Sequence, residues 1–429
     1  MRIVLFDPDV PARRNFYPIA LSRPIWELRC GITNLREKLL AKVGGAGDAY
    51  FCPQHMAASY AGRTGFRVND STALKGDDLL LLNGRLKAEA VDQIDRKGPS
   101  CAAFAADGEP LALWLRAGDA SKVDAGSIES LFESARKHLA KHDGELPAWK
   151  YTWDLVLASP HQIAVDFKTI GKSGIEGTVE PPNAIRGSTK DVFIGKGAKI
   201  HPMVVIDAAN GPVYLDQEVE VHPFTRIEGP CFVGRKSWLL GAKCREGNSI
   251  GPMCRVGGEV EESIIHAYSN KYHDGFLGHA YVGEWVNLGA LTTNSDLKND
   301  YGNVEISLDG RKKIDTGSVK VGALIGDHTK TSIGSLFNSG AYVGAMSLIM
   351  ATGKPLPKYI PEFSWLIDGN VTKGFGRGKL YDTAKIAMSR RKMEFNEVER
   401  AMWDAIFEMT APQRDELIKR GRRAMAAKY

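Results

Sequence analysis

The feature that most constrains this chain is an aliphatic residue at every sixth position through its middle. Glycine often follows directly, as in Ile194-Gly195 and Val233-Gly234. A period of six fits neither an amphipathic helix nor an alternating strand, and an ordinary β-sandwich would require the spacing to be coincidental. The period is typical of a coil of short parallel strands with the aliphatic residue inside, so it predicts a hexapeptide β-helix over residues 185–370. The register is carried by Ile194, Ile200, Ile206, Val221, Ile227, Val233, Ile250, Val256, Val282, Leu288, Val343 and Ile349.

Strands alternating with helices before this region predict a layered α/β domain over residues 1–170. Within it, residues 101–119 are typical of a hairpin, and residues 127–142 of an amphipathic helix with Ser127 as its cap. The stretch 165–186 is rich in glycine and proline and is interpreted as a connector.

The six-residue register is interrupted between residues 295 and 318, which predicts a loop that leaves the coil and returns. Such loops often carry function. Residues 371–429 are predicted to form a helical tail that packs on the prism or on a neighbouring subunit. Its apolar positions are Ile386, Met393, Phe395, Val398, Met402, Ile406 and Phe407.

Composition excludes several classes of protein. A net charge of +5 does not favour a nucleic-acid partner. The six cysteines are scattered without zinc-ligand spacing, which predicts reduced thiols, no metal site and a cytoplasmic location. No window approaches 18 apolar residues, and the apolar run Ile3 to Phe6 is too short for a signal sequence, so neither a membrane span nor a leader is expected.

Residues 269–302 carry a family resemblance. From His273 to Thr292 the chain matches, without gaps, the segment G-H-x-x-Y-x-G-D-x-x-I-G-x-x-V-N-I-G-A-G-T of bacterial bifunctional enzymes. Those enzymes acetylate glucosamine 1-phosphate and then make UDP-N-acetylglucosamine. The chain departs from the segment at Phe276 for tyrosine, His279 for aspartate and Leu291 for glycine. It resembles even more the alternative nucleotidyltransferase/acetyltransferase branch of bacteria and archaea, and this implies that the β-helix is left-handed.

The first domain is similar to the sugar-1-phosphate nucleotidyltransferase domain of that branch. Residues 16–39 resemble the family's R-P-L-T-x-x-x-P-K-P-L-L stretch, and residues 79–85, "LLLLNGR", stand where the family has a strand ending in N-G-D. The glycines that would wrap nucleotide phosphates are missing from "DPDVPARRN", and the aspartate that would hold Mg²⁺ is Arg85. The domain is therefore predicted to be degenerate, with Mg²⁺ required only if it is active.

The resemblance implies a set of site residues. N-acetylation needs a base that takes a proton from an ammonium group, and the family's catalytic histidine falls on His273. His279, one hexad later, would orient His273 or fill an interface. The predicted substrate ligands are Lys271 and Arg255 for the phosphate, and Glu259, Asp296 and Asn299 for the sugar. Amides at Gly289 and Ala290 would stabilise the oxyanion, and Lys320, Lys330 or Lys354 would bind the phosphates of coenzyme A. For each of these residues, the alternative is a structural role in a wall or at a corner of the prism, with no part in binding or catalysis.

The predicted function is acyl-CoA-dependent N-acetylation of an amino-sugar phosphate in nucleotide-sugar biosynthesis, with acetyl-CoA as co-substrate. A lone prism is convex, so a site between subunits is expected, which implies a homotrimer. Two alternatives stay open. The chain could be an active sugar-1-phosphate nucleotidyltransferase, or a catalytically inactive trimeric scaffold or sensor. The departures from the family segment at Phe276 and Leu291 favour the scaffold or sensor.

Overall fold

Strands and helices alternate through the first 170 residues of the computed structural model, which describes residues 1–426. The strands form one sheet in the order β2-β1-β3-β5-β4-β6, with β1 parallel to both neighbours and β5 antiparallel to β3 and β4. These strands are β1 Arg2–Phe6, β2 Ala49–Phe51, β3 Leu79–Asn83, β4 Cys101–Phe104, β5 Pro110–Leu115 and β6 Ala140–Lys141. The helices are α1 Leu35–Val43, α2 Gln54–Thr64, α3 Ile128–His138 and α4 Thr152–Ile170.

Local sequence signals explain these boundaries. The Ser127 side chain accepts from the Ser130 amide at the start of α3, which confirms the predicted cap. α1 begins with a capping box between Asn34 and Glu37 and ends at Gly44, whose φ of 78° suits a residue without a Cβ. The antiparallel pair β4 and β5 confirms the predicted hairpin.

A prism with three walls of mostly two- to four-residue parallel strands follows. The strands of this part of the chain are β7 Gly174–Ile175, β8 Thr178–Val179, β9 Ala184–Gly187, β10 Val192–Ile194, β11 Lys199–Ile200, β12 Val205–Ala208, β13 Val213–Leu215, β14 Glu220–Val221, β15 Arg226–Glu228, β16 Cys231–Val233, β17 Trp238–Cys244, β18 Asn248–Ile250, β19 Arg255–Glu261, β20 Ile264–Ala267, β21 Asn270–Lys271, β22 Phe276–Gly278, β23 Tyr281–Glu284, β24 Thr293–Asn294, β25 Glu305–Ile306, β26 Ile314–Asp315, β27 Leu324–Ile325, β28 Lys330–Thr331, β29 Leu336–Phe337, β30 Tyr342–Val343, β31 Leu348–Ile349, β32 Tyr359–Ile360, β33 Trp365–Ile367 and β34 Asn370–Thr372. They include the hairpin β25–β26 outside the walls and the last strand β34, which is antiparallel to β33.

The first coils each contribute one strand to each wall, and some later coils lack a strand in wall 2 or wall 3. Wall 1 contains β7, β10, β13, β16, β18, β20, β23, β27, β30 and β32. Wall 2 contains β8, β11, β14, the first halves of β17 and β19, β21, β28, β31 and β33. Wall 3 contains β9, β12, β15, the second halves of β17 and β19, β22, β24 and β29.

All of the aliphatic residues in the six-residue register lie in one continuous buried core inside the prism. The predicted parallel β-helix is thereby confirmed. The glycines that follow many of them allow coils to stack closely. A Cβ at Gly251 would lie 1.7 Å from the His266 carbonyl oxygen of the next coil. Many corners are instead turned by non-glycine residues with positive φ, such as Met253 and His279.

The stretch 165–186 is not a connector, and that prediction is wrong. Its first residues complete α4, and β7, β8 and most of β9 form the first coil of the prism. Short two-residue strands with glycine and proline between them look like a linker in sequence, because the apolar inward positions in this first coil are few.

The α/β domain and α4 cover the outer face of wall 1. The outward side chains there are aromatic in successive coils, namely Phe193, Tyr214 and Phe232, and they form an apolar cluster with Ile163 and Phe167 of α4. This contact explains why one wall of the prism carries aromatic residues outside as well as aliphatic residues inside.

A buried charge network also joins the α/β domain to the prism. Arg23 donates to Asp327 through Nη1 at 3.2 Å and Nη2 at 2.5 Å, and its Nη2 lies 3.2 Å from Glu284. The Ser22 hydroxyl donates to Asp327 at 2.5 Å. Arg23 and Asp327 are both almost fully buried.

The predicted excursion loop is present, with β25 and β26 pairing as an antiparallel hairpin outside the walls. The tail contains α5 Gly376–Ser389, α6 Glu397–Met409 and α7 Ala411–Ala426, while residues 427–429 of the predicted tail lie outside the described residues. It packs on the prism and on the α/β domain of its own chain. Ile386 and Val398, expected to be apolar contacts, are exposed. Among residues 1–426, no helix has the length and apolarity needed to cross a membrane.

Candidate active site

His273 lies on an outward loop at the corner between walls 2 and 3. Val256 pairs with Lys271 and Glu259 with Phe276, so residues 272–275 face only two residues of β19 and bulge from the prism. The His273 side chain is exposed, with its ring 5.0 Å from the ring of Tyr272. The loop therefore offers an imidazole that a substrate can approach from outside.

Lys271 holds this loop from within the prism. It occupies the position that Val256 takes in the coil before, and it is buried. Its ammonium donates to the carbonyl oxygen of Gly257 at 2.8 Å and to that of His273. Burial lowers the pKa of Lys271 to about 8. The prediction that Lys271 binds phosphate is corrected here, because its ammonium faces the core and fixes the backbone that carries His273.

Arg255 and Arg391 form a basic pair beside this loop. Arg255 stacks 3.7 Å above the Trp238 ring, and Arg391, from the turn between α5 and α6, donates to Asn270 at 3.3 Å. Asn270 pairs with Arg255 in the neighbouring coil. Burial, followed by repulsion from Arg391, lowers the pKa of Arg255 to about 10. Within residues 1–426 neither arginine forms an ion pair with a carboxylate, and Nε of Arg391 is buried without a hydrogen-bond partner.

The sequence predicted Arg255 but missed Arg391. Arg391 belongs to the helical tail, which has no six-residue register that would place it against a particular coil. Two cations side by side without a carboxylate suit an anion such as a phosphate.

The residues predicted to bind the oxyanion and the sugar differ in whether their polar groups are free to contact a substrate. The Gly289 amide donates to the Thr331 hydroxyl at 3.0 Å, so it is not free for an oxyanion, and that prediction is corrected. The Ala290 carbonyl accepts from Gly334. Glu259 is half-buried and lies 3.9 Å from Arg245, while Asn299 is exposed in the excursion loop.

Two lysines predicted to bind coenzyme A are already engaged. The Lys320 ammonium lies 3.1 Å from Glu261. The Lys330 ammonium donates to the carbonyl oxygens of Trp285 and His328, and burial lowers its pKa to about 7. Both assignments are therefore corrected, whereas Lys354 is exposed.

A second group of charges, the His279 cluster, is buried at the next corner. His279 Nδ1 lies 2.8 Å from Asp296 and Nε2 lies 3.4 Å from Glu262. Burial disfavours the imidazolium, but the hydrogen bonds to Asp296 and Glu262 outweigh it and raise the pKa of His279 to about 9. The cluster consists of Glu261, Glu262, His279, Asp296, Lys320 and Arg245. With its pKa raised to about 9, His279 holds its proton at neutral pH and is not suited to act as a base.

This cluster predicts a stability change with pH. The folded pKa of His279, about 9, is above the ordinary value of 6.5. Its contribution is therefore complete below pH 6.5 and is lost as pH rises through 9, a change on the order of 3 kcal/mol. We expect the unfolding free energy of the wild type, measured by denaturant titration, to fall over this range relative to His279→Gln. The exposed control His138→Gln should keep the wild-type slope, and equal slopes in all three proteins would contradict the assignment.

The α/β domain has a cleft at the carboxyl ends of β1 and β2. Its volume is about 490 Å³, and Asp7, Asp9, Asn69, Ser127 and Glu129 are among its lining residues. Open sheets of this kind bind ligands at this edge. Asp7 pairs with the buried Arg13, which cross-links the loop after β1.

Residue 85 stands where the resembling family has the aspartate that holds Mg²⁺, and the side chains at this position are not suited to bind a metal ion. Arg85 is buried there, and its guanidinium forms a two-pronged ion pair with Glu109. A guanidinium contributes positive charge and no lone pair, and it occupies the carboxylate of Glu109. No step through Mg²⁺ is derived at this position.

Comparison with known proteins finds similarity to a family of sugar nucleotidyl transferases and to bifunctional transferases. Residues 3–174 match the family model described as sugar nucleotidyl transferase. The bifunctional protein GlmU of Rippkaea orientalis is 30% identical over 208 residues, which cover 47% of this chain and 40% of that protein. The bifunctional sugar-1-phosphate nucleotidylyltransferase/acetyltransferase of Sulfurisphaera tokodaii is 32% identical over 150 residues, which cover 32% of this chain and 35% of that protein. The chain is related to these bifunctional transferases.

The relationship confirms the resemblance seen in the sequence, including the resemblance of the first domain, and the class of transferases. The chain spans about two fifths of the length of these relatives. Two solved structures also match, a UDP-N-acetylglucosamine acyltransferase at 17% identity and its Arabidopsis counterpart at 11%. They cover 58% and 57% of this chain and 93% of each of theirs, with TM-scores of 0.25 and 0.26, and at these scores neither likeness supports an inference.

Proposed function

We propose that the chain is an acyl-CoA-dependent N-acetyltransferase that acts on an amino-sugar phosphate in nucleotide-sugar biosynthesis, with His273 as the general base. The observation that carries the proposal is the position of His273. The residue that matches the family's catalytic histidine lies on an exposed loop that Lys271 fixes from inside.

The proposed reaction follows from the chemistry of amines. His273 takes a proton from the ammonium of the sugar, and the free amine attacks the thioester carbonyl of acetyl-CoA. The tetrahedral intermediate then expels the coenzyme A thiolate, which takes up the second proton of the nitrogen to become the thiol. The amide remains on the sugar, and His273 releases its proton to water. The Ala290 amide, unlike that of Gly289, is not engaged within the described chain and is suited to the oxyanion.

The phosphate of the substrate would lie between Arg255 and Arg391. Both guanidinium groups are beside the His273 loop and lack a carboxylate among residues 1–426. Because His273 lies on a convex corner, a neighbouring subunit is needed to close the crevice, and we propose a homotrimer. Acetyl-CoA is the proposed co-substrate, with Lys354 as the remaining exposed lysine for its phosphates.

Replacing Arg391 with glutamine should weaken binding of the phosphate. We expect KM for glucosamine 1-phosphate to rise by about tenfold to a hundredfold, because a charge-assisted hydrogen bond to a buried anion is lost. kcat should change little, and turnover of glucosamine, which has no phosphate, should be unaffected. Arg390→Gln, a change at the exposed neighbour, is the matched control. Equal losses with both substrates, or in both variants, would remove Arg391 from the site.

A second candidate function is favoured by two observations. The family match over residues 3–174 and the 490 Å³ cleft at the ends of β1 and β2 suit transfer of a nucleotide to a sugar 1-phosphate. The Arg85–Glu109 pair speaks against it, since it occupies the position expected for the metal-binding aspartate.

A further inference from the structure

A group of histidines and glutamates lies on wall 2, several coils before the His273 loop. Its members come from three successive coils, with Glu180 after β8, His201 after β11 and Glu220 and His222 in and after β14. Lys199 pairs with Glu220, a separation of 21 residues, so the coil repeat stacks these side chains although they are far apart in sequence.

We propose that His201, His222 and Glu220 form a binding site for a divalent transition-metal ion of the zinc type. The ligand atoms that these three residues can offer all lie within 4.8 Å of one another. Two imidazoles and one carboxylate are a donor set that Zn²⁺ prefers, and a water would complete a tetrahedron.

The distances fit such an ion. Glu220 Oε1 lies 3.2 Å from His201 Nε2 and 3.5 Å from His222 Nε2. Ligands about 2.05 Å from a tetrahedral zinc ion lie about 3.3 Å from each other. Glu220 therefore lies at nearly the separation from each histidine that coordination requires, and the two imidazole nitrogens are within 4.8 Å of each other.

Two further features point to a cation. Nε2 of His222 is buried and has no hydrogen-bond partner within residues 1–426, so a metal ion would satisfy it. Nδ1 of His201 lies 3.1 Å from Glu180, so the other ring nitrogen, Nε2, is oriented toward Glu220. A carboxylate behind a histidine ligand is the arrangement that orients metal-bound histidines in proteins.

The electrostatics agree with this geometry. Glu180 and Glu220 place carboxylate oxygens 3.1 and 3.2 Å from the two ring nitrogens of His201. The group thus favours a positive charge between the carboxylates, which a metal ion supplies. Bound metal would tie together the first coils of the prism, independently of the transfer reaction at His273.

The test is zinc binding by the full-length chain after removal of metals with a chelator. We expect one Zn²⁺ per chain by mass spectrometry of the desalted protein, and a higher unfolding temperature with Zn²⁺ than with Mg²⁺. His222→Gln, His201→Gln and Glu220→Gln should each weaken zinc affinity by at least about tenfold, and Glu180→Gln by about tenfold to a hundredfold. Replacing zinc with Co²⁺ should give the absorption bands of a tetrahedral site in the wild type and not in the His222→Gln, His201→Gln and Glu220→Gln variants.

The controls are Glu218→Gln, two residues from Glu220, and His138→Gln in α3, which should both bind zinc as the wild type does. The His279 cluster is the other group in the described chain whose atoms lie close enough for a metal. The proposal is overturned if the wild type retains no zinc, if the ligand variants retain it, or if His279→Gln alone abolishes it. The side chains of the cluster are half-buried on the outer face of wall 2, and circular dichroism checks that each variant folds.

Discussion

Replacing His273 with alanine is expected to lower acetyl transfer at pH 7 by about 10²–10⁴-fold, the usual contribution of a general base. Its side chain is exposed and makes no hydrogen bond within the described residues, so the fold should be unaffected. The measurement is release of free coenzyme A from acetyl-CoA with glucosamine 1-phosphate as acceptor. Added imidazole should restore part of the activity of the variant, which a purely structural role would not allow.

The control for this prediction is His138→Ala, which removes an exposed imidazole far along the chain in α3. It should keep wild-type activity. Activity of His273→Ala within about twofold of the wild type would exclude His273 as the base. Activity that is lost but not restored by imidazole at any concentration would favour a role in shaping the loop.

Replacing Asp327 with alanine is expected to destabilise the chain by about 3–5 kcal/mol. The change leaves the buried guanidinium of Arg23 with only the Glu284 carboxylate, and it removes the acceptor of the Ser22 hydroxyl. Removal of one partner of a buried ion pair lowers the unfolding free energy more than replacement of both partners by apolar residues. The reason is that the remaining charge stays buried without a partner. The expected result is a lower unfolding temperature and faster proteolysis between the α/β domain and the prism.

The matched control for Asp327 is Asp300→Ala, which removes an exposed carboxylate from the excursion loop. It should change the unfolding free energy by no more than about 0.5 kcal/mol. The double variant Arg23→Met with Asp327→Leu should recover much of the loss, since apolar side chains of similar volume often replace a buried ion pair. A loss below about 1 kcal/mol for Asp327→Ala would show that the network does not hold the two parts together.

The sequence was sufficient for the prism because its core repeats. Each inward position recurs after six residues, and every coil obeys the same packing constraint, so the aliphatic residues identify the architecture without any tertiary information. The His273 loop was found by a local motif. The outward aromatic residues of wall 1 were not anticipated, because they depend on the α/β domain that covers them.

Lys271 shows how the same register could have been used further. It lies six residues after Ile265 and six before Leu277, and both of these face the core. The register therefore places Lys271 inside the prism, where a phosphate cannot reach it. Polar residues at inward positions deserve the same interpretation as aliphatic ones, because the backbone and not the side chain determines the direction.

Other contacts had no signal in the sequence. Arg391 reaches Asn270 from a tail without a repeat, and Arg85 meets Glu109 across a sheet of the first domain. His201 and His222 are separated by a full coil, so their proximity follows only once the length of that coil, 21 residues, is known. A search for closely spaced ligands, such as those of zinc fingers, does not find residues that are brought together by a coil of 21 residues.

The most direct test of the account is the acceptor-dependent release of coenzyme A by the wild-type chain. Release is expected to require both acetyl-CoA and an amino-sugar phosphate, to yield the N-acetylated sugar and to be lost in His273→Ala. Release of pyrophosphate from UTP or dTTP with a sugar 1-phosphate, and no acetyl transfer, would assign the activity to the α/β domain instead. Absence of acetyl transfer to every amino-sugar phosphate tested would contradict the central claim.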